Sequence, residues 1–251
     1  MKKLKSILPK KSGRVRGRIT VRHQGGREKR YLRLIDAKRS KKDVWGKVAA
    51  IEYDPNRNAE LALVLYEDGE RRYILAPFGL KVGARVIASE VAPVEAGNAL
   101  PLKAIPVGTQ IHNIEIYKGK GGQMVKGAGS AAVVFGKEDA WVLVKLPSGE
   151  IRRFDPECLA EIGQVGNVDA KHEVLHKAGR VRHMGIRPSV RGVAMNPHSH
   201  PHGGGEGRSG VGMKAPKTVY GRSAVGKTRN KEKYSNRLIM QTRGGKAISG
   251  K

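Results

Sequence analysis

Between Tyr31 and Ala88, apolar and polar positions alternate in five short runs: Tyr31–Asp36, Trp45–Tyr53, Glu60–Tyr66, Glu70–Ala76 and Ala84–Ala88. A repeat of two sends successive side chains to opposite faces, so each run predicts a half-buried strand rich in Val, Ile, Leu and Tyr. Asp54-Pro55-Asn56 and Asp68-Gly69 fall between runs and predict tight turns, which makes the strands an antiparallel meander. Five strands so closely joined suit a small barrel of the oligonucleotide/oligosaccharide-binding (OB) type, a closure that also removes most exposed edges. Pro93, Gly97, Pro101, Pro106 and Gly108 then punctuate a joint. A second group follows at Thr109–Tyr117, Ser130–Phe135, Ala140–Leu146 and Glu150–Phe154, with Pro147-Ser148-Gly149 as a turn, and predicts another small barrel.

The pattern fails at both ends. Residues 1–28 are poor in large apolar side chains. Arg14, Arg16, Arg18 and Arg22 alternate there with Val15, Gly17, Ile19 and Val21, which predicts an extended strand with guanidinium groups on one face. A merely solvated face is the plainer alternative. Past Asp169 glycine and proline rise: Lys171–Lys177 suits one or two helical turns carrying His172 and His176, and irregular chain is expected beyond Ala178. The expectation is an all-β fold in four parts: a basic arm over 1–28, an OB-type barrel over 29–100, a second barrel over 101–170, and an extended tail over 171–251.

Charge sharpens that division. Residues 1–50 hold 18 Lys/Arg against 3 Asp/Glu, and residues 171–251 hold the same numbers, so each end carries +15, while the stretch between them is at −3. Two cationic arms on a near-neutral centre are expected where the arms lie along phosphates and release counterions. Cys158 is the one cysteine, which excludes a disulfide framework and a cysteine-based zinc site and fits a reducing compartment. No apolar run approaches the ~20 residues of a membrane helix, so no membrane partner is expected. The absence of acids before Glu28 fits an RNA-binding arm or an organellar transit peptide equally.

The remaining chemistry lies on two loops and the tail. Lys118–Gly129 interrupts the second group with five glycines and three lysines, offering backbone amides and the ammonium groups of Lys118, Lys120 and Lys126 to phosphate; a flexible hairpin tip is the plainer reading. Arg191–Gly212 has six glycines among its last ten residues, with His198, His200 and His202 alternating around Pro201. Proline disfavours a helix and glycine a strand, so a folded partner must supply the ordering energy. With Arg180, Arg182, Arg187, Arg191 and Arg208 nearby, that partner is anionic, and structured RNA fits best. A zinc site on the three histidines and Glu206, a plain glycine linker, and a dinucleotide fingerprint at Gly205, Gly207 and Gly210 compete. The fingerprint lacks both its strand and its helix. Gly221–Thr228 spells a P-loop, yet no apolar strand precedes it and too little chain follows for a nucleotide-binding sheet. Lys227 reads better as a phosphate contact.

Several blocks carry a resemblance. Gly17–Thr20 with Arg22-His23 and Gly25-Gly26, Glu52–Arg57, Ala62–Tyr66, Asp68–Pro77, Ile105–Gly108, Ile111–Asn113, Gly119–Gln123, Arg191–Pro197 and His200–Arg208 follow in one order. Together they resemble the large-subunit ribosomal protein two family in a bacterial or organellar form. That likeness implies an OB-type barrel, then an SH3-like barrel, with arms threaded into large-subunit ribosomal RNA. It implies neighbouring ribosomal proteins, the small subunit across an intersubunit bridge and, indirectly, tRNA as partners. It places the histidine segment towards the peptidyl-transferase centre and matches the family's proposed catalytic histidine to His200. The expected role is structural, because no nucleophile, oriented carboxylate or oxyanion donor set accompanies His200; a metal- or histidine-dependent enzyme centred on His198–His202 is the rival, and a general DNA-compacting protein a third. No cofactor of its own is expected beyond Mg2+ held by bound RNA. A cytoplasmic bacterial ribosome is the expected location, with an organellar one as alternative. The amino-terminal arm is short for the family, and His198-Ser199 stands where relatives more often carry an apolar residue and an acid. The RNA-contact candidates are Arg22, His23, Arg57, Lys118, Lys120, Lys126, Arg182, Arg187, Arg191, Asn196, His200, His202, Gly203, Gly204, Gly205, Arg208, Lys227 and Arg243.

Overall fold

The computed structural model describes residues 4–226, 229–230 and 232–247. Internal contacts divide the chain into two units: residues 1–8, 29–174 and 237–251 form the first, and residues 9–28 and 175–236 the second. The strands begin with β1 (Lys5–Ile7), the short hairpin β2 (Arg14–Val15) and β3 (Arg18–Ile19), β4 (Tyr31–Arg33), β5 (Gly46–Glu52), β6 (Leu61–Tyr66), β7 (Arg71–Leu75) and β8 (Arg85–Val86). They continue with β9 (Ala99–Pro101), β10 (Gln110–His112), β11 (Ile114–Glu115), β12 (Gly122–Met124), β13 (Ala132–Lys137), β14 (Val142–Lys145), β15 (Ile151–Phe154), β16 (Leu159–Ile162) and β17 (Ile239–Gln241).

The first unit is all-β, an OB-type barrel followed by an SH3-like barrel. In the first barrel the order is β7-β6-β5-β8, and β1 pairs with β4. A parallel bridge from Ile35 to Tyr73 carries the chain after β4 onto β7. The register of β5 against β6 slips between Val48 and Ala50, a bulge that bends the strand and helps the sheet curl. Alternation does what it predicts: Val48, Ala62, Val64, Tyr66, Ile74 and Val86 pack together with exposures of 3% or less. In the second barrel the order is β17-β15-β14-β13-β10-β16-β9, and its core holds Leu100, Ile111, Ile114, Val134, Val144, Phe154 and Ile162. Each fully buried side chain of this size contributes roughly 1.5–3 kcal/mol over an exposed one. Cys158 lies in that core, where burial pushes its thiol up to about 12, so it acts as a small apolar residue.

A buried polar seam joins the two barrels. Arg39, 2% exposed, donates through Nη2 to the Gly97 carbonyl at 3.1 Å, and its Nη1 stands 3.9 Å from Glu161 Oε1. Asn113 Nδ2 donates to the same carboxylate at 3.0 Å. Burial pushes the Glu161 carboxyl up, but His112, Arg39 and Asn113 outweigh it and hold it below the usual carboxylate value.

The second unit differs from the expected pair of extended arms. Arg14–Ile19 does not run as one strand. Arg16 and Gly17 both take positive φ, 48° and 77°, and turn the chain back into the β2–β3 hairpin, so the guanidinium groups do not share one face. Residues after Ala178 are not all irregular either: α1 (Ala178–His183) forms and ends in two hydrogen bonds, Gly185 N–H to Arg182 O at 2.9 Å and Ile186 N–H to Val181 O at 3.2 Å. Gly185 at φ 94° serves that stop. The expected turns over Lys171–Lys177 are displaced: a 3-10 turn covers Val168–His172, and His176 lies beyond it at φ 58°, so His172 and His176 do not share a helical face. Two segments assigned to the extensions belong to the first unit, β1 beside β4 and β17 beside β15. Each carries an apolar cluster, Ile7-Leu8 and Leu238-Ile239-Met240, too short to stand out in a basic tract.

Candidate nucleic-acid interface

In the first unit Arg57 and Lys118 are held by acids and Lys126 by a carbonyl. Arg57 donates from Nε to Asp54 Oδ2 at 2.8 Å, and Asp54 also accepts the Asn56 N–H at 3.1 Å. Burial pushes the Asp54 carboxyl up, yet these hydrogen bonds outweigh it and keep it below the ordinary value. Lys126 is half-buried and donates to the Gly122 carbonyl at 3.0 Å. Burial and nearby Arg57 lower its pKa. Two cations brought this close are disfavoured unless an anion joins them.

The glycine and lysine loop is not a loose tip. The Glu115 carboxylate, 1% exposed, accepts the backbone N–H groups of Gly121 at 2.7 Å, Leu159 at 3.0 Å and Gly119 at 3.3 Å. The Gly122 N–H donates to the Ala37 carbonyl at 2.7 Å, which fastens the loop to the first barrel. Lys120 Nζ stands 5.4 Å from the Tyr117 ring, and Lys118 Nζ reaches Glu157 Oε2 at 3.5 Å. Sequence reasoning missed Glu115. Its only signal is an acid at an inward position of a predicted strand, followed by glycines. Arg243 is exposed on the turn after β17, whose backbone passes close to Gly149 in the first unit.

In the second unit the amino-terminal segment and the tail interlock by backbone. Gly25 N–H donates to Gly185 O at 2.9 Å, Glu28 N–H to His183 O at 3.0 Å and Arg187 N–H to His23 O at 3.0 Å, and Gln24 bridges Ile186. Arg27, 7% exposed, crosses above Gly185, where an added Cβ would come within 2.8 Å of the Arg27 Cβ. Arg22, His23, Arg182 and Arg187 are therefore brought together although they lie about 160 positions apart in the chain. In this unit His183 Nδ1 stands 2.8 Å from Glu28 Oε1, an ion pair when the imidazole is protonated.

The histidine segment forms a compact turn. His200 and His202 stack obliquely, with ring centroids 4.7 Å apart and 59° between planes. The His202 N–H donates to His200 Nδ1 at 3.0 Å, and the Lys217 N–H donates to His202 Nε2 at 2.9 Å. Those two lone pairs are occupied. The His200 ring rests against Gly192, where any side chain would collide with it. Asn196 accepts the Ser199 N–H at 2.9 Å, and Gly203 and Gly204 return N–H groups to His200 O and Met195 O at 2.8 and 3.0 Å. Gly205 and Arg208 are exposed beyond the turn, and Arg191 opens it as the residue before a 3-10 turn, Gly192–Ala194. His198 is exposed and stands apart, so the three histidines do not converge; among the described residues no group of three or more His, Cys, Asp or Glu is placed to hold a metal ion.

Pro216–Ala224 forms a hairpin of its own, with Thr218 N–H to Arg222 O at 2.7 Å and Ala224 N–H to Pro216 O at 2.9 Å. Gly221 lies at its turn, so the P-loop spelling has no strand-to-helix setting. Lys227 and Thr228 lie outside the described residues. The large cavity of the first barrel, about 1000 Å³ along Leu34, Leu63 and Tyr73, contains none of the candidates.

Two family models match successive parts of the chain. Residues 1–88 match the model described as Ribosomal Proteins L2, RNA binding N-terminal domain. Residues 95–221 match Ribosomal Proteins L2, C-terminal domain. Two β-barrels extended by cationic segments without a core, matched in order over most of the length, place the chain in the ribosomal protein L2 family, as a structural ribosomal RNA-binding protein of the ribosome.

Proposed function

We propose that the chain is a primary ribosomal RNA-binding protein of the large subunit, whose second unit lies towards the peptidyl-transferase centre and supports subunit association, tRNA placement and peptide-bond formation. The observation that carries this reading is the separation of roles between cations. In the first unit Arg57 and Lys118 pair with acids, as do Arg33, Arg72 and Arg153, while Arg22, Arg187, Arg191 and Arg208 of the second have no carboxylate partner among the described residues. Unpaired guanidinium groups on a core-free segment suit phosphate, and glycine-rich backbone suits close approach to the sugar-phosphate chain.

In this role Arg57 and Lys126 share one phosphate, the loop at Lys118 and Lys120 meets another, and Asn196, His202 and Gly203–Gly205 present polar groups and backbone to RNA. Arg182, Lys227 and Arg243 complete the set. His200 acts structurally. Its Nδ1 is occupied by a backbone N–H, and no carboxylate among the described residues orients it as a base. Mg2+ enters with the RNA, and the bacterial cytoplasm is the proposed compartment, with an organelle as second reading. The test is binding of the purified chain to transcribed large-subunit RNA across a salt series. Arg191→Glu is expected to weaken binding and to reduce the salt slope by about 1. Unchanged affinity and unchanged incorporation into particles would remove Arg191 from the interface, and equal affinity for duplex DNA would favour a general nucleic-acid compactor.

A further inference from the structure

The interlock in the second unit forms a half-open cavity of about 240 Å³. Arg14, Arg22 and Arg187 line it together with Ile19, Val21 and Pro188, and His23 and Gln24 complete the wall. Three features set it apart from a plain phosphate contact. It has far more room than a phosphate group fills. Its apolar walls are wasted on a bare anion: Ile19 and Val21 are 60% and 50% exposed, an arrangement that costs free energy unless a flat or apolar group covers it. And its three guanidinium groups have no acid partner among the described residues, so the charge they present is net positive.

The pocket is also built rather than incidental. Val21 N–H and Thr20 N–H both donate to the Gly13 carbonyl, at 3.0 and 2.9 Å, which ties together the two ends of the β2–β3 hairpin. Arg187 N–H donates to His23 O, which fixes the opposite wall. Both walls are thereby held by backbone, while the arginine and histidine side chains remain available.

We infer that this cavity takes a single unpaired nucleotide extruded from the bound RNA. The base lies against Ile19, Val21 and Pro188. Arg22, His23 or Arg187 stacks on its free face, Gln24 meets its edge, and the remaining guanidinium groups hold the flanking phosphates. Splayed bases read by planar cations and amides are the usual means of recognising single-stranded RNA, whereas a duplex offers only its backbone. The inference rests on the ribosomal RNA-binding reading above and adds to it the class of ligand held at one place.

Base-specific chemical probing of transcribed large-subunit RNA, free and bound to the full chain, tests it. Ile19→Trp fills the cavity from the hairpin and Pro188→Trp from the tail. Neither residue is buried, so both variants are expected to keep the thermal transition of the first unit. The expected result is one unpaired base protected by the wild-type chain and exposed about tenfold more in both variants, with the rest of the footprint retained. Footprints of variants and wild type that coincide at every unpaired base would overturn the proposal. So would a loss spread evenly over the whole footprint, which would mean a backbone contact. Failure of the wild-type chain to bind the RNA would instead remove the broader reading.

Discussion

The two units solve the same problem, how to hold many positive charges in one chain, in opposite ways. In the first, Arg33 lies 3.4 Å from Glu52, Arg57 2.8 Å from Asp54, Arg72 2.8 Å from Asp36 and Arg153 3.3 Å from Glu138, around a core of fully buried Val, Leu and Ile. In the second, none of the buried hydrophobic residues of the chain is present; its buried positions among the described residues are Gly25, Arg27, Gly185 and Ser235. Ordering backbone costs roughly 1–2 kcal/mol per residue, and local hydrogen bonds return little of that against water. The first unit is thus stabilised from within, and the second has Arg22, Arg187, Arg191 and Arg208 left over for a partner. A protein can carry charge either as part of its own structure or as surface for something else, and here the two uses occupy different stretches of chain.

The sharpest way to break this comparison is to remove a core side chain from one unit and its counterpart from the other. Leu61→Ala, at a position with 0% exposure, is expected to cost about 2–5 kcal/mol in chemical denaturation. Val190→Ala, at 60% exposure, closes the series with a change within about 0.5 kcal/mol; a comparable loss at both sites would mean that the second unit has a core after all. Between these extremes lies Glu115→Ala. It strips the acceptor from three backbone N–H groups and is expected to cost about 2 kcal/mol, with faster hydrogen exchange at Gly119, Gly121 and Leu159. Glu115→Gln, which keeps one acceptor oxygen, is expected to restore part of it.

Acid sharpens the contrast further. Burial raises the Glu52 and Asp54 carboxyls, but Lys5 and Tyr73 on the one, and Arg57 and Asn56 on the other, bring both below their ordinary values. The stability they add is then complete above about pH 4 and is lost as pH falls through the lowered native values. The thermal midpoint of the first unit is expected to hold from pH 7 to pH 5 and to fall below pH 4, and Asp54→Asn is expected to flatten that fall. A midpoint that rises on acidification would contradict the ion-pair account.

Much of the first unit was legible because alternation is a local signal: the runs at Trp45–Tyr53, Glu60–Tyr66 and Glu70–Ala76 contain β5, β6 and β7 with no end shifted by more than one residue. What escaped was non-local. β17 pairs with β15 across more than eighty residues, and nothing in Ile239-Met240-Gln241 alone announces its partner. The one-faced row of Arg14, Arg16, Arg18 and Arg22 fails for a related reason, since alternation cannot show that Arg16-Gly17 is a turn. Among the candidate contacts, residue type pointed to the cations, but which of them carry acid partners was invisible. Arg57 and Arg187 look alike in the sequence, and only the fold shows Asp54 beneath one and the His23 backbone beside the other.

Because β16 precedes residues 175–236 and β17 follows them, what reads as a trailing end is a span moored at both ends to a single sheet. A moored span searches far fewer conformations than a dangling one, and the penalty for closing it grows only slowly with its length. Extra residues inserted between α1 and β17 should accordingly be tolerated by the barrel, whereas cutting the chain there once would release the histidine turn from one of its two moorings.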